Sequence, residues 1–317
     1  MEYIAVIRTL GTSREKFETL LRSLHNQTIL PQKILVYIAE GYTIPDIHIG
    51  LERYIYVKKG MMAQRALTYD EVDTEYMLFL DDDLYLPEDS VEQMFFLLKQ
   101  KKADVISPDI FPNAKRPFKS ELMMTLSARM RARYKSDSWG YRVMLNGGYS
   151  YAKYPKSDVL FSETNAGACF LCKKKDFLRI NLRDELWIDA VPYAQGDDQV
   201  IYYKMHLNGC KILTWYTHGV IHLDGGQNYT PEKKLSTIYS DFRFKTIFWY
   251  RFIYKIESNF LKRLFCVIAF SYTILFTYLA SLSKFEWKVL KVKHTAIKEA
   301  INYIFSKDFR KIGSVII

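Results

Sequence analysis

Over roughly the first 230 positions, apolar residues come in short runs that end on polar or charged groups, and between several of these runs they recur at helical spacing. Runs at 3–7, 34–38, 54–57 and 76–80 read as buried strands. The first ends at Arg8-Thr9, the second at Ala39-Glu40-Gly41 and the third at Lys58-Lys59-Gly60. After the first, Thr12 and Glu15 stand at capping-box spacing, and Phe17, Leu20, Leu21 and Leu24 follow with helical period. A short helix is expected over 61–70, carrying Gln64 and Arg65; a longer one over 91–100 is followed by a strand at 104–107. This alternation predicts an α/β fold with a mostly parallel sheet flanked by helices.

Residues 112–160 break the rhythm. Lys115, Arg116, Lys119, Arg129, Lys135 and Arg142 are interspersed there with tyrosines, Trp139 and Gly147-Gly148. A long, irregular, basic and aromatic segment reads as a lid or binding loop, with a solvated surface excursion as the alternative. Regular structure is expected again as a strand at 166–171, a helix opened by Gly196-Asp197-Asp198-Gln199 and stopped at Gly209, and a strand at 211–215. His222 falls at a further strand end, before Asp224-Gly225-Gly226.

Charge divides the chain. Residues 1–232 hold 29 Lys/Arg against 30 Asp/Glu, whereas residues 233–317 hold 16 against 5. The net +10 therefore belongs to the C-terminal part, which points to an anionic surface. From 241 to 254 aromatic and basic residues alternate in a way that resembles an interfacial helix with snorkelling cations. Residues 264–283 then carry no charge, a run long enough to span a bilayer. Both flanks are basic, so the positive-inside rule favours a helix lying on or dipping into the membrane over one that crosses it. A buried helical hairpin is the alternative. Such an uncharged run would serve nucleic acid poorly. The organisation expected is a domain at 1–232 and a basic, aromatic, helical membrane-associating region at 233–317. Four cysteines give no disulfide framework, and Cys169-x-x-Cys172 lacks a second pair at zinc spacing. With no basic segment leading into an apolar one at the N-terminus, an intracellular protein is expected.

The strongest chemical signal is Asp81-Asp82-Asp83, three carboxylates at the end of the fourth strand. Ligands of open α/β sheets bind at such carboxyl ends. Two carboxylates about 5 Å apart repel by roughly 3 kcal/mol at an effective dielectric near 20. A hard divalent ion, Mg²⁺ or Mn²⁺, would neutralise them; a polar turn before a helix is the plainer reading. Asp197 and Asp198 fall in the first turn of a helix, where a carboxylate caps. One acid explains a cap, and the second remains to be accounted for. Neither a Gly-x-Gly-x-x-Gly after the first strand nor a P-loop occurs, so dinucleotide and P-loop chemistry are unsupported.

Together these motifs resemble the family-two glycosyltransferases, inverting enzymes of the GT-A fold, particularly bacterial ones that build surface polysaccharides. The resemblance covers about residues 3–226. Asp81-Asp82-Asp83 is similar to the family's Asp-x-Asp motif, which implies Asp81 and Asp82 toward the nucleotide and Asp81 and Asp83 toward the metal. Gly60 to Arg65 resembles the stretch beside the nucleotide. Glu40 stands where many members have an Asp for the base, and Thr9 ends the first strand beside them. Gly196-Asp197-Asp198 resembles the Glu-Asp motif, with Asp198 in the catalytic-base position and Asp197 in place of the usual Glu. His222 is similar to a histidine some members use near the metal. The resemblance implies a nucleotide-sugar donor, a glycan or lipid-linked acceptor, and a place on the cytoplasmic face of the inner membrane. Two rivals are a sugar-phosphate nucleotidyltransferase, which would carry an N-terminal glycine-rich phosphate loop, and a catalytically silent membrane-bound sugar-binding module, which would not need both acid motifs.

Overall fold

The computed structural model describes residues 1–110, 116–134, 138–223 and 230–316. Lys115, Lys135 and the Asp224-Gly225-Gly226 stretch lie outside the described residues. The apolar runs become the centre of one eight-stranded sheet. Strands β1 (Tyr3–Thr9), β2 (Ile34–Ala39), β3 (Glu52–Val57) and β4 (Tyr76–Asp81) are mutually parallel in the order β4-β1-β2-β3. Helix α1 (Arg14–His25) connects β1 to β2. After the two-residue β5 (Leu84–Tyr85) and helix α2 (Ser90–Lys101) comes β6 (Val105–Pro108), which with later strands completes the sheet.

Side chains alternate across each strand and build a core on both faces. Tyr3, Ala5 and Ile7 with Leu78 and Leu80 meet Phe17, Leu20 and Leu24 of α1 and Met94, Phe95 and Leu98 of α2. On the opposite face, Ile4, Val6, Met77 and Phe79 join a second cluster built mostly from later parts of the chain.

Two expectations about this half are corrected. Helix α1 starts at Arg14 behind Ser13, with no side-chain cap; the Ser13 and Thr9 hydroxyls are turned to Asp82 instead. Residues 61–66 form turns and no helix continues to residue 70. Asp189 takes the amides of Met62 and Ala63, Gln64 reaches into the strand ends, and Tyr69 adopts φ +52°, which a helix cannot contain.

The 112–160 segment is folded where it is described. Helix α3 (Phe118–Leu126) is followed by a three-stranded sheet of β7 (Met130–Arg133), β8 (Tyr141–Val143) and β9 (Tyr149–Ala152), in the order β7-β9-β8. Met130, Tyr141 and Tyr151 give it a small core of its own. The expected irregular loop is thus a subdomain, tied to the main sheet by Tyr141 Oη donating to Asp109 Oδ1 at 2.8 Å.

Strands β10 (Val159–Ser162), β11 (Cys169–Lys173) and, further on, β12 (Ile212–Trp215) complete the large sheet as β10-β12-β6-β11-β4. β11 runs antiparallel to β4 and β6, and β10 antiparallel to β12. Between β11 and β12 lie α4 (Lys174–Arg179), a 3₁₀ segment Leu182–Asp189 and helix α5 (Asp197–Leu207). β13 (Ile221–His222) pairs antiparallel with β5.

The C-terminal part is helical: α6 (Pro231–Phe248) with a π-helical extension Trp249–Tyr254, α7 (Phe260–Leu282), α8 (Trp287–Ile304) and α9 (Lys307–Lys311). The interfacial reading of 241–254 is overturned. Phe244, Phe248 and Phe252 are buried in the same cluster as Phe79, Phe170 and Val200, and Phe309 and Val315 join them. Burying one such phenylalanine is worth about 2 kcal/mol. The basic residues there do not snorkel either. Arg251 is 1% exposed and holds Glu185 through Nε at 3.0 Å and Nη2 at 2.7 Å. Lys204 Nζ reaches the same carboxylate at 2.6 Å, so α5, the 3₁₀ segment and the π-helical turn share one buried ionic group. All four cysteines are free and buried, as the apolar context of Cys169 and Cys172 implied.

Candidate active site

β1 and β4 lie side by side in register, Arg8 against Asp81, so both strands end at one level. The antiparallel β11 begins there too, with the Ala168 carbonyl accepting from the Asp81 amide at 2.8 Å. At this edge the helix start carrying Asp197 and Asp198 meets the triple aspartate. Arg8 joins them: Nε donates to Asp81 Oδ1 at 2.6 Å and Nη1 to Asp197 Oδ2 at 2.6 Å. Arg65, 1% exposed beside the stacked Phe79 and Phe170 rings, adds a bond from Nη2 to Asp81 Oδ1 at 2.9 Å.

The three aspartates therefore have three different environments. Burial pushes the Asp81 carboxyl up, but the two guanidiniums outweigh it and hold it below the usual carboxylate range. Burial raises Asp82, with the Thr9 hydroxyl bond offsetting part of the rise. Asp83 Oδ2 faces His222 Nε2 at 3.3 Å. His222 reaches it because β13 pairs with β5, placing His222 opposite Leu84, the residue after Asp83, while the Leu223 amide donates to the Asp83 carbonyl at 2.8 Å.

Asp81, expected to ligate a metal, has its two oxygens held by Arg8 and Arg65 in this arrangement, so a cation there would face two guanidiniums. Among the described residues no group of three or more His, Cys, Asp and Glu converges on a metal position. Asp83 and His222 fit such an ion as two of its ligands, one oxygen and one nitrogen side by side, leaving its other positions to a bound molecule.

Asp198 is half-buried at the start of α5. Burial is the main cause that pushes its carboxyl up to about 7; adjacent Asp197 adds to the rise, and Arg8 opposes it. Its Oδ1 has no hydrogen-bond partner. Opposite stands Gly167, where a Cβ would lie 2.0 Å from that oxygen. Oδ1 is thus enclosed against Gly167, and a carboxyl poised near neutrality is suited to accept a proton through its other oxygen. Asp197 is 3% exposed and bonded to Arg8, so it is Asp197 that fills the structural role.

The Gly60–Arg65 stretch is folded onto the same edge by Asp189, whose Oδ1 and Oδ2 accept from Met62 and Ala63 amides at 2.9 and 2.8 Å. A Cβ at Gly60 would meet Asp189 Oδ2 at 2.3 Å, so the close approach demands glycine. Gln64 Nε2 donates to the carbonyls of Thr9 and Tyr37 at 3.2 and 3.1 Å, fixing the loop to the ends of β1 and β2. Glu40 lies exposed beyond β2, its amide bonded to the Val57 carbonyl at 2.8 Å and apart from the acid cluster's ion pairs.

Thr9, Arg65, Asp81 and Asp82 thus meet in one bonded group, Asp83 and His222 in another, and Asp198 opposes Gly167. Sequence reasoning missed Arg8, Asp189 and Gly167. Only Arg8 carried a legible signal, a cation closing an apolar strand ahead of an acid-tipped one.

No protein-family model matches the sequence, and no curated protein matches it. Among solved structures the chain is similar to a crystal structure of GalNAc-T7 with UDP, GalNAc and Mn²⁺, with a TM-score of 0.50 and 12% identity, covering 87% of this chain and 55% of that one. The chain thus spans about half the length of that structure's chain. At this identity the likeness carries the fold and leaves the chemistry to the site. The fold is α/β of the GT-A type, a large and mostly parallel sheet flanked by helices, with one long apolar helix in its C-terminal part.

Proposed function

We propose that the chain is a metal-dependent, inverting glycosyltransferase that moves a sugar from a nucleotide-sugar donor to a glycan or lipid-linked acceptor in surface polysaccharide synthesis. We place it on the cytoplasmic face of the inner membrane, attached through its C-terminal helices. The observation that carries the reading is that Asp83 in contact with His222 shares one sheet edge with a carboxyl, Asp198, held near neutrality. The GT-A-type fold and a similar structure bound to UDP, GalNAc and Mn²⁺ support it.

Asp83 and His222 would hold the ion, with the diphosphate of the donor as its remaining ligands. When bound, the ion offsets the negative charge that develops on the leaving diphosphate. An imidazole nitrogen is a softer donor than Mg²⁺ ordinarily takes, so Mn²⁺ is the first ion to try. Thr9, Asp82 and the Gly60–Arg65 loop line the same edge and would bind the nucleotide. Arg8 and Arg65 hold Asp81 in place. The Asp198 carboxylate would accept the proton of the acceptor hydroxyl as that oxygen attacks the anomeric carbon; attack opposite the departing diphosphate inverts the centre.

The test is turnover of a panel of nucleotide sugars with and without Mn²⁺, in the wild type and in Asp198→Asn. Metal-dependent release of nucleoside diphosphate that the variant loses supports the reading. Release of pyrophosphate from a nucleoside triphosphate and a sugar phosphate would instead make it a nucleotidyltransferase. Binding without turnover of any donor would leave only a sugar-binding module.

A further inference from the structure

Helix α7 is amphipathic in the wrong sense for water. It buries Cys266, Thr273, Thr277 and Ser281, and exposes Leu264, Phe265, Ile268, Leu275 and Leu279. Its mean hydropathy reaches 1.9, and only 22% of that stretch is buried. A surface helix in water turns its apolar stripe inward, and an exposed patch of this size marks an interaction site.

We propose that the outward faces of α7 and α3 together form a docking surface for an anionic lipid bilayer, with α7 lying parallel to the membrane plane. The proposal specifies the membrane attachment put forward above and is independent of the transfer chemistry.

Orientation follows from what holds the inner side of α7. Thr273 Oγ1 accepts from Asn146 Nδ2 at 2.7 Å. The Thr277 carbonyl and Ser281 Oγ accept from Lys293 Nζ at 3.0 and 2.8 Å. Phe270 stacks on Trp249 with ring centroids 4.2 Å apart. These attachments run from Phe270 to Ser281, the C-terminal half of a helix about 35 Å long. If α7 crossed the bilayer, it would draw Asn146, the Lys293 ammonium and the irregular backbone around residue 146 into hydrocarbon. Lying flat, it gives lipid one face and keeps every polar partner on the other.

α3 extends the surface. Glu121 and Met124 turn inward to the small sheet, while Phe118, Leu122 and Leu126, four residues apart, are exposed. Tyr272 Oη of α7 donates to the Leu126 carbonyl at 2.7 Å, which ties α7 to the C-terminal end of α3. Charge complementarity identifies the occupant. Exposed Lys119, Lys262, Lys284, Lys288 and Lys291 lie on these two helices and the turn and helix that follow α7. Each adds about 1 kcal/mol near an anionic leaflet. Phe285 and Trp287, 78% and 62% exposed in the turn after α7 and at the start of α8, suit the headgroup level.

The surface is also coupled to the candidate site. Gln199, next to Asp198, donates from Nε2 to the Gly147 carbonyl at 2.9 Å, and the neighbouring Asn146 is the residue bound to Thr273 of α7. One short loop thus links the lipid-facing helix to the helix that opens with the acidic pair. A lipid-linked acceptor held in the leaflet would present its head group on the side where α5 begins.

The test uses the full chain with phosphatidylcholine vesicles, with and without phosphatidylglycerol. The wild type should co-sediment with the anionic vesicles, less in high salt. Ile268→Glu and, separately, Leu122→Glu should each weaken binding by about tenfold with the circular dichroism of the folded chain retained. Because the natural cysteines are buried, single Lys262→Cys and Lys284→Cys variants report orientation. Both should react with a membrane-impermeant maleimide added outside intact vesicles. Protection of one of the two until detergent is added would establish a spanning helix and overturn the in-plane placement. Undiminished binding by Leu122→Glu would remove α3 from the surface. A wild type that ignores every vesicle would refute membrane attachment itself, which the other outcomes leave standing.

Discussion

Arg8 Nη1 lies 2.6 Å from Asp197 Oδ2, joining the end of the first strand to the start of a helix nearly two hundred positions later. Through Nε the same guanidinium holds Asp81 at 2.6 Å. Burial would lower the Arg8 pKa, but Asp81 and Asp197 outweigh it and raise it well above its ordinary value. The cation is therefore permanent, and it lets three acids from distant segments occupy one sheet edge.

Arg8→Met should destabilise the fold by on the order of 3 kcal/mol, because Asp197 loses its counter-ion and Asp81 keeps only Arg65. Arg8 also restrains the rise of Asp198. Without it the acid limb of the kcat/KM profile should move to higher pH. An unmoved limb in a folded variant would show that Arg8 and Asp198 are not coupled.

Asp198→Asn should keep donor affinity and lose turnover by about 10²–10⁴. It should also be the more stable protein at alkaline pH. The folded Asp198 titrates at about 7, well above its unfolded value of 3.8. The native state thus binds more protons between those values, and stability falls as pH rises through that window. The melting-temperature difference between variant and wild type should be small near pH 4 and should grow in favour of the variant up to pH 7–8.

Gly167→Ala places a Cβ 2.0 Å from Asp198 Oδ1. The side chain must rotate or the backbone shift, so turnover should fall at least about tenfold, as expected for a misplaced base. Donor binding, proposed to rest on Thr9, Asp82 and the Gly60–Arg65 loop, should remain. Equal loss of donor affinity would show that Gly167 serves the nucleotide.

Asp83→Ala and His222→Ala should each weaken Mn²⁺-dependent donor binding, read by calorimetry or by loss of ligand-induced thermal stabilisation. Neither residue belongs to a core cluster, so the melting temperature without ligand should stay within a few degrees. Asp81→Ala should behave differently: it removes the carboxylate that Arg8 and Arg65 share and should lower stability even without metal.

Glu185→Ala separates structure from chemistry. It leaves Lys204 and Arg251 buried without their shared carboxylate, which costs about 3–5 kcal/mol. Whatever fraction remains folded should retain its turnover per molecule. Because Arg251, Phe248 and Phe252 belong to this core, truncation near Ser236 should yield aggregated chain and no soluble catalytic domain.

The sequence by itself determined the four parallel strands of the first half and the acids at the end of the fourth. Runs such as 76–80 can satisfy their backbone and side chains together only inside a sheet, and three adjacent aspartates need positive charge nearby. Tertiary structure alone decided what that charge is. Register placed Arg8 against Asp81, leaving Asp83 to His222, and no local pattern encodes a register partner seventy positions away. The aromatic-basic stretch at 241–254 was misread for the same reason. Its phenylalanines would serve a membrane or a core equally well, and the outcome turned on Glu185, a buried carboxylate that took Arg251 inward. In α7 composition announced an apolar helix, while only packing showed that its threonines face the protein and its leucines face away.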